Sequence, residues 1–385
     1  MNQYDIAIIG LGTMGKALAR NFASRKIPTL VFNRHSEKSE AFIKQYGNNY
    51  LDCRKDFPTL FKSLKRPHQV IMMVPAGSAV TETMTKLLPY LDRGDIVIDG
   101  GNSYYRSSIV RHEGLQEKGI HFVGMGISGG EEGALKGPSI MPGCDKAVWT
   151  TLAPLLNKIA AKDFNGKPCV THVGPGGAGH FVKMVHNGIE YAILQIMAET
   201  YDLLRSLYGL KAGDISSIFK TLNKGKLKSY LFETAVSVLG QKDEFEKGYL
   251  VDFILDRAGQ KGTGRWIAID ALQRGLAIPT ITQAVYARSL SGLRVERVGL
   301  DKLFDKPKGK KSAPLPTFIK WLTEALQAGM LSAYAEGFNL MNSVNWAAPN
   351  TNIFSATGAV TGGAGSITSV VTPGRQLQFS LKLNF

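Results

Sequence analysis

Cysteine is scarce in this chain of 385 residues: Cys53, Cys144 and Cys169 are the three it has. An odd number at wide spacings makes neither a disulfide framework nor a zinc motif, so a reducing compartment is expected and no metal site. Long apolar runs are also missing. No stretch reaches membrane-spanning length, and Tyr4 to Gly10 reads as a strand, not as a signal peptide. The expected location is therefore cytoplasmic, with no membrane partner. Acid is in short supply, 31 Asp and Glu against 46 Lys and Arg, for a net charge of +15. That excess raises the question of nucleic acid. The basic residues are scattered, however. The dense run, Lys306 to Lys311, is broken by Pro307 and Gly309 and has no interleaved aromatics. It reads as a solvated loop, and no nucleic-acid partner is expected. A hydrophobic fraction of 44% suffices for a full core, and the length suits two domains.

The chain opens with Asp5-Ile6-Ala7-Ile8-Ile9, a short isoleucine-rich run that flows into Gly10-Leu11-Gly12-Thr13-Met14-Gly15. A helical pattern follows from Gly15 to about Ala23. Strand, glycine turn and helix in that order form the dinucleotide fingerprint, in which backbone N–H groups approach a pyrophosphate at a helix N-terminus. The next strand, Pro28 to Phe32, ends at Asn33-Arg34-His35-Ser36. An acid usually stands here to accept the ribose hydroxyls of NAD. None is present, and Arg34 offers a guanidinium fork suited to a 2′-phosphate, so NADP is the expected cofactor.

Further strands at Gln69 to Val74 and Ile96 to Asp99, with helical patterns between them, make this region a doubly wound parallel sheet of the Rossmann type. Asp99-Gly100-Gly101-Asn102-Ser103 then falls at a strand end facing the cofactor crevice. After a strand at His121 to Val123, the glycine-rich Gly124 to Ala134 reads as a loop that offers backbone donors and the Ser128 hydroxyl to a carboxylate or sugar.

Downstream, Lys183, His186, Asn187 and Glu190 stand at i, i+3, i+4 and i+7, so a helix would project all four from one face. The other side carries Val182, Val185, Ile189 and Ala192, an apolar stripe suited to a core. A lysine and a glutamate two turns apart, with a histidine and an amide between them, form an acid/base set. Lys261, in the Gln-Lys-Gly-Thr-Gly turn Gln260 to Gly264, looks like a point charge beside a phosphate-binding nest. Arg288, in the helical Ala284 to Leu290, could equally be an exposed helix arginine.

On these motifs the chain resembles the decarboxylating 6-phosphogluconate dehydrogenases. The resemblance rests on Gly10 to Gly15, Asn33-Arg34, Asp99 to Ser103, Ser128 to Ala134, Gly137-Pro138-Ser139, Gly179 to Tyr191 and Gly259 to Trp266. It runs from about residue 3 to Trp346. It implies a Rossmann-type α/β domain over 1–176 and a truncated all-α substrate and dimerisation domain over 177–346. It further implies that Lys183 is the general base and Glu190 the general acid. Such a base works with a pKa of about 7–8, which burial and a cationic neighbour such as His186 can supply. Asn102, Ser128, Gly129, Gly130, His186, Asn187 and Tyr191 match the family's substrate contacts. Lys261 and Arg288 match the residues that hold the substrate phosphate. The implied cofactor contacts are Gly10, Leu11, Gly12, Thr13, Met14, Gly15, Asn33, Arg34, His35, Val74, Pro75, Ala76 and Asn102. Pro75 departs from the lysine or glutamine of many relatives and removes a side-chain donor. A homodimer is expected.

After Trp346 the character changes. Residues 347–385 contain no acid and two basic residues, Arg375 and Lys382. Gly358 to Gly365 is flexible by composition, and Leu377, Phe379, Leu381, Leu383 and Phe385 alternate with polar residues. That ending resembles the last strand of an outer-membrane β-barrel of the TonB-dependent receptor type, joined to a chain expected to lack the family's C-terminal tail and the arginine and histidine it lends to the partner's substrate. Two alternatives to the decarboxylating enzyme stay open: a catalytically impaired NADP-binding remnant, and a β-hydroxyacid dehydrogenase of the 3-hydroxyisobutyrate type.

Overall fold

The computed structural model describes residues 4–163, 165–304, 311, 313–342, 345–346 and 370–372. The chain divides into two compact units between Met184 and Val185. The first contains β1 (Ile6–Ile9), α1 (Thr13–Ser24), β2 (Thr29–Phe32), α2 (Ser36–Tyr46), β3 (Leu51–Cys53), α3 (Phe57–Ser63) and β4 (Gln69–Met72). It continues with α4 (Ser78–Leu87), β5 (Ile96–Asp99), α5 (Tyr105–Gln116), β6 (His121–Ser128), α6 (Gly130–Lys136), β7 (Ser139–Gly143) and α7 (Lys146–Ile159).

The seven strands lie in the order β3-β2-β1-β4-β5-β6-β7. All neighbouring pairs are parallel except β6 with β7, which is antiparallel. The residues of β1 explain why both faces are covered. Ile6 and Ile8 enter one core cluster with Phe22 and Ile98, while Ala7 and Ile9 enter another with Leu30 and Val97. A strand apolar at every position has no face for water, so helices must pack on both sides, which is how parallel sheets are built. Strand order reverses between β1 and β4, and open sheets of this kind bind ligands beyond the carboxyl ends of the strands at such a point.

The expectation that Gly124 to Ala134 forms a loop after a strand ending at Val123 requires correction. β6 continues to Ser128 and α6 begins at Gly130. The glycines serve packing: a Cβ on Gly124 would lie 2.9 Å from His180 Nδ1, and one on Gly126 would lie 2.6 Å from the Cβ of Lys183. Cys144 is fully buried, and burial pushes its thiol up to about 12, so it is no nucleophile at neutral pH.

The second unit is helical. The helix α8 (Ala178–Tyr208) contains the boundary between the units, and it is followed by α9 (Ala212–Leu222), α10 (Tyr230–Gly240), α11 (Thr263–Gln273), α12 (Pro279–Ser291), α13 (Arg294–Asp301) and α14 (Leu315–Met341). α8 and α14 approach closely through small residues. A Cβ on Gly337 would lie 2.5 Å from Ile189 Cδ1, and one on Gly329 would lie 2.9 Å from Ile196 Cδ1. Glu336 on α14 accepts hydrogen bonds from the N–H groups of Thr280 (2.9 Å) and Ile281 (3.0 Å), satisfying donors that the start of α12 leaves open. A short pair, β8 (Asn345–Trp346) with β9 (Val370–Thr372), is antiparallel. The glycine-rich segment 358–365 and the alternating segment 376–385 lie outside the described residues, as does the basic run 306–311 apart from Lys311. Among the described residues no helix is long and apolar enough to cross a membrane, and no cluster of three metal-ligating side chains occurs.

Candidate active site

The fingerprint glycines each have a distinct reason. Gly10, at φ +100, leaves β1, and a Cβ there would lie 2.5 Å from the carbonyl oxygen of Met73. Gly15 packs its Cα against the Gly10 carbonyl, with no room for a side chain. Gly12 has open space around its Cβ position and stands at the N-cap of α1 without a side-chain cap. A close backbone turn with clear space above an uncapped helix N-terminus suits a pyrophosphate. The neighbouring positions also fit NADP. Asn33 Oδ1 accepts from Leu11 N–H (3.4 Å) and its Nδ2 donates to the His35 carbonyl (3.2 Å), holding the end of β2 beside the fingerprint. Arg34 and His35 are exposed there, as are Thr13, Pro75 and Ala76, while Met14 and Val74 are half-buried.

At the end of β5, Asp99 is fully buried. It accepts from the Gly101 N–H at 3.0 Å and from the Ser103 hydroxyl at 2.6 Å, which shapes the turn that exposes Asn102. At the end of β6, Ser128 leads into Gly129 (φ +126) and Gly130 (φ +60), the entry to α6. A Cβ on Gly129 would lie 2.9 Å from Gly133 Cα, so the turn requires glycine there on two counts.

The helix α8 carries the four polar residues expected on one face. It is not a solvated charged stripe. Lys183 is 7% exposed and Asn187 9%, while His186 and Glu190 are half-buried. His186 Nδ1 lies 3.7 Å from a Glu190 carboxylate oxygen and 3.4 Å from Asn187 Oδ1. The apolar residues Val185, Ile189 and Ala192 are buried, and Val182 is half-buried. His180, one turn before Lys183, is fully buried with its Nδ1 2.7 Å from the Ser108 hydroxyl. Burial holds its imidazole below the ordinary range, the nearby Asp99 opposing.

In the second unit, the guanidinium of Arg288 sits 4.2 Å from the centre of the Tyr191 ring and donates twice to the Gly259 carbonyl, from Nε at 2.8 Å and Nη2 at 2.6 Å. It thereby pins the loop that carries the exposed Lys261. Gly264 packs against the same Tyr191 ring, a Cβ there lying 2.6 Å from Cε2. Arg288, Tyr191 and the Lys261 loop are thus brought together, although two donors of the Arg288 fork are spent on a carbonyl. Of the set Asp99, Ser103, Ser108, Arg111 and His180, the sequence motifs include Asp99, Ser103 and His180, while Ser108 and Arg111 on α5 were not singled out. The strand-end acid Asp99 was the available signal.

Comparison with known proteins places this geometry. The model for the NAD binding domain of 6-phosphogluconate dehydrogenase matches residues 5–174, and that for the C-terminal domain of 6-phosphogluconate dehydrogenase matches 179–355, past the Trp346 limit read from the sequence. The NADP(+)-dependent, decarboxylating 6-phosphogluconate dehydrogenase of Bacillus subtilis is 43% identical over 351 residues, which cover 90% of this chain and 75% of that one. The chain belongs to the 6-phosphogluconate dehydrogenase family. Another family member, the decarboxylating enzyme of Lactococcus lactis subsp. lactis, is also 43% identical, over 88% of this chain and 72% of its own. The 6-phosphogluconate dehydrogenase of Plasmodium falciparum, solved in its apo form and with NADP+ and with 6-phosphogluconate, superposes with a TM-score of 0.82 at 37% identity. That match covers 88% of this chain and 73% of the Plasmodium protein. A 3-hydroxyisobutyrate dehydrogenase of Salmonella typhimurium, at TM-score 0.57 and 15% identity, covers 74% of this chain and 93% of its own and shares the fold alone.

Proposed function

We infer that the protein catalyses the NADP-dependent oxidative decarboxylation of 6-phosphogluconate to ribulose 5-phosphate and carbon dioxide. The observation that carries this reading is α8, with Lys183 buried and Glu190 two turns further on, in a chain 43% identical to enzymes named for the reaction. Lys183, as a neutral amine, takes the proton from the carbon-3 hydroxyl. NADP, when bound, accepts the hydride from that carbon. Lys183, now an ammonium, donates to the carbonyl oxygen as carbon dioxide leaves. Glu190 then delivers a proton to carbon 1 of the enediol while Lys183, neutral again, takes back the hydroxyl proton, which leaves the ketone of ribulose 5-phosphate. Two groups serve because the protons move at sites too far apart for one side chain, and two turns of helix separate Lys183 from Glu190 by about 10 Å along the axis. Each such group contributes on the order of 10²–10⁴-fold.

In the same proposal Asn102, Ser128, Gly129, Gly130, His186, Asn187 and Tyr191 hold the substrate, and Lys261 and Arg288 hold its phosphate. The cofactor is held by Gly10, Leu11, Gly12, Thr13, Met14 and Gly15, by Asn33, Arg34 and His35, and by Val74, Pro75, Ala76 and Asn102. The division into a cofactor domain over 1–176, a substrate domain over 177–346 and a separate segment over 347–385 belongs to this reading. The matches over 5–174 and 179–355 support its first boundary. A homodimer also belongs to this reading: Phe245, Leu272, Val295, Leu303 and Phe304 are each more than two-thirds exposed, large apolar side chains that a partner would cover. A cytoplasmic location accompanies it, supported by three free thiols. The test mixes the purified chain with NADP and 6-phosphogluconate and follows NADPH and carbon dioxide together. Equimolar formation of both is expected. NADPH without carbon dioxide, or neither product from a folded, NADP-binding chain, would refute the assignment.

A further inference from the structure

We propose that Arg111 is a positioning residue: through its fork it fastens the turn Val74 to Gly77 to the buried carboxylate of Asp99. The inference rests on reading that turn as part of the NADP site. Arg111 stands on α5, outside every motif that carries the family resemblance, and its side chain is 9% exposed. Nη2 donates to the Gly77 carbonyl at 2.9 Å and to the Thr81 hydroxyl at 3.3 Å. Nη1 is buried without a hydrogen-bond partner and lies 3.7 Å from Asp99 Oδ2, so the link to that carboxylate is an ion pair alone. The same carboxylate accepts from Gly101 N–H and the Ser103 hydroxyl. One acid and one fork therefore tie the ends of β4 and β5 together, and with them the turn that exposes Asn102.

The geometry distinguishes this from an arginine buried only for packing. Burial pulls the guanidinium below its ordinary range and Asp99 opposes that pull, so a cost is met to keep the charge there. Its Nη2 goes to a carbonyl in an exposed turn, that of Gly77, which has φ +99 and precedes the first residue of α4. Pro75 in that turn lacks an N–H and a polar side chain, so the turn has few contacts of its own to hold its shape. A planar fork reaches two differently placed acceptors at once, which an ammonium does not.

The test compares NADP binding to the wild-type chain and to Arg111→Lys by titration of protein fluorescence, which needs no turnover. The expected result is a Kd for NADP raised about tenfold in a variant with an unchanged circular dichroism spectrum. The rise is expected with faster hydrogen exchange at residues 76–78 but not in β4. An unchanged Kd in folded Arg111→Lys would overturn the brace alone. Failure of the wild-type chain to bind NADP would overturn the cofactor reading and the brace with it. Should Arg111→Lys not fold, Thr81→Val is read in its place, since Thr81 is exposed and its hydroxyl accepts from the same fork. A Kd raised twofold or more supports the brace, and an unchanged one overturns it.

Discussion

Gly126→Ala is the most direct probe of how β6 sets the position of Lys183. The new Cβ would meet the Cβ of Lys183 at 2.6 Å and the Gly179 carbonyl oxygen at 3.0 Å. Neither atom is the yielding end of a long side chain: one is fixed to the helix backbone and the other belongs to it. Restoring ordinary contact at 3.4 Å requires a displacement of about 0.8 Å of α8 away from the strand, or of the strand from α8. Overpacking of this kind costs about 1–3 kcal/mol of stability. A misplacement near 1 Å of a group that must meet its substrate costs about 10²-fold in rate. The variant is therefore expected to lose about two orders of magnitude in kcat while NADP binding, proposed for the fingerprint after β1 three strands away, changes little. Gly114→Ala is the control. Gly114 is an exposed glycine within α5, with nothing within 4 Å of its Cβ position, so it should gain about 0.4–1 kcal/mol and keep full activity. Steady-state kinetics, urea unfolding and NADP titration of both variants decide the matter. Wild-type kcat in a folded Gly126→Ala would show that the strand does not set the position of Lys183.

Lys183→Met should lower turnover by about 10²–10⁴-fold while leaving the NADP dissociation constant within about twofold, a comparison that fluorescence titration and NADPH production make together. Arg34→Ala removes the fork offered at the end of β2 and should raise KM for NADP about tenfold or more with KM for NAD little changed; equal effects on both cofactors would remove the 2′-phosphate role. The acid limb of stability should carry a contribution from His180. Burial depresses its folded-state pKa, so the unfolded chain binds a proton near pH 6.5 that the folded chain does not. Stability from this group is complete above that pH. It falls as the pH drops, by up to about 1.4 kcal/mol per pH unit, until the folded-state pKa is reached. His180→Gln should flatten the change in urea midpoint between pH 7 and pH 5.5, and an unaltered slope would rule out the histidine as its source.

The parts of this molecule that could be read without coordinates are those whose signal is local. Ile6 to Ile9 are apolar at every position, which demands cover on both sheet faces, and Gly10 and Gly15 each have a separate steric reason while Gly12 leaves open space. The helical period of Lys183, His186, Asn187 and Glu190 is equally local. What was misread depends on distant neighbours. Gly124 and Gly126 look like loop residues because glycine is a turn signal in sequence. Here each is a strand residue kept small by a helix more than fifty positions away in the chain. The contact of Arg288 is equally remote in origin, since nothing near it in sequence says that its fork will donate to the Gly259 carbonyl.

The burial of α8 bears most on function, because it decides between two meanings of one pattern. A polar stripe at i, i+3, i+4 and i+7 is ordinarily the wet side of a surface helix. Lys183 and Asn187 are instead almost wholly withdrawn from water, on a helix whose opposite side is also buried through Val185, Ile189 and Ala192. Withdrawing a lysine from water carries a cost that an alanine or leucine at position 183 would avoid. A helix polar on one side and apolar on the other, whose polar side nonetheless buries its lysine and amide, has kept those two residues for a reason other than solubility. In the proposed function that reason is proton transfer to and from the substrate, and the loss expected in Lys183→Met tests it.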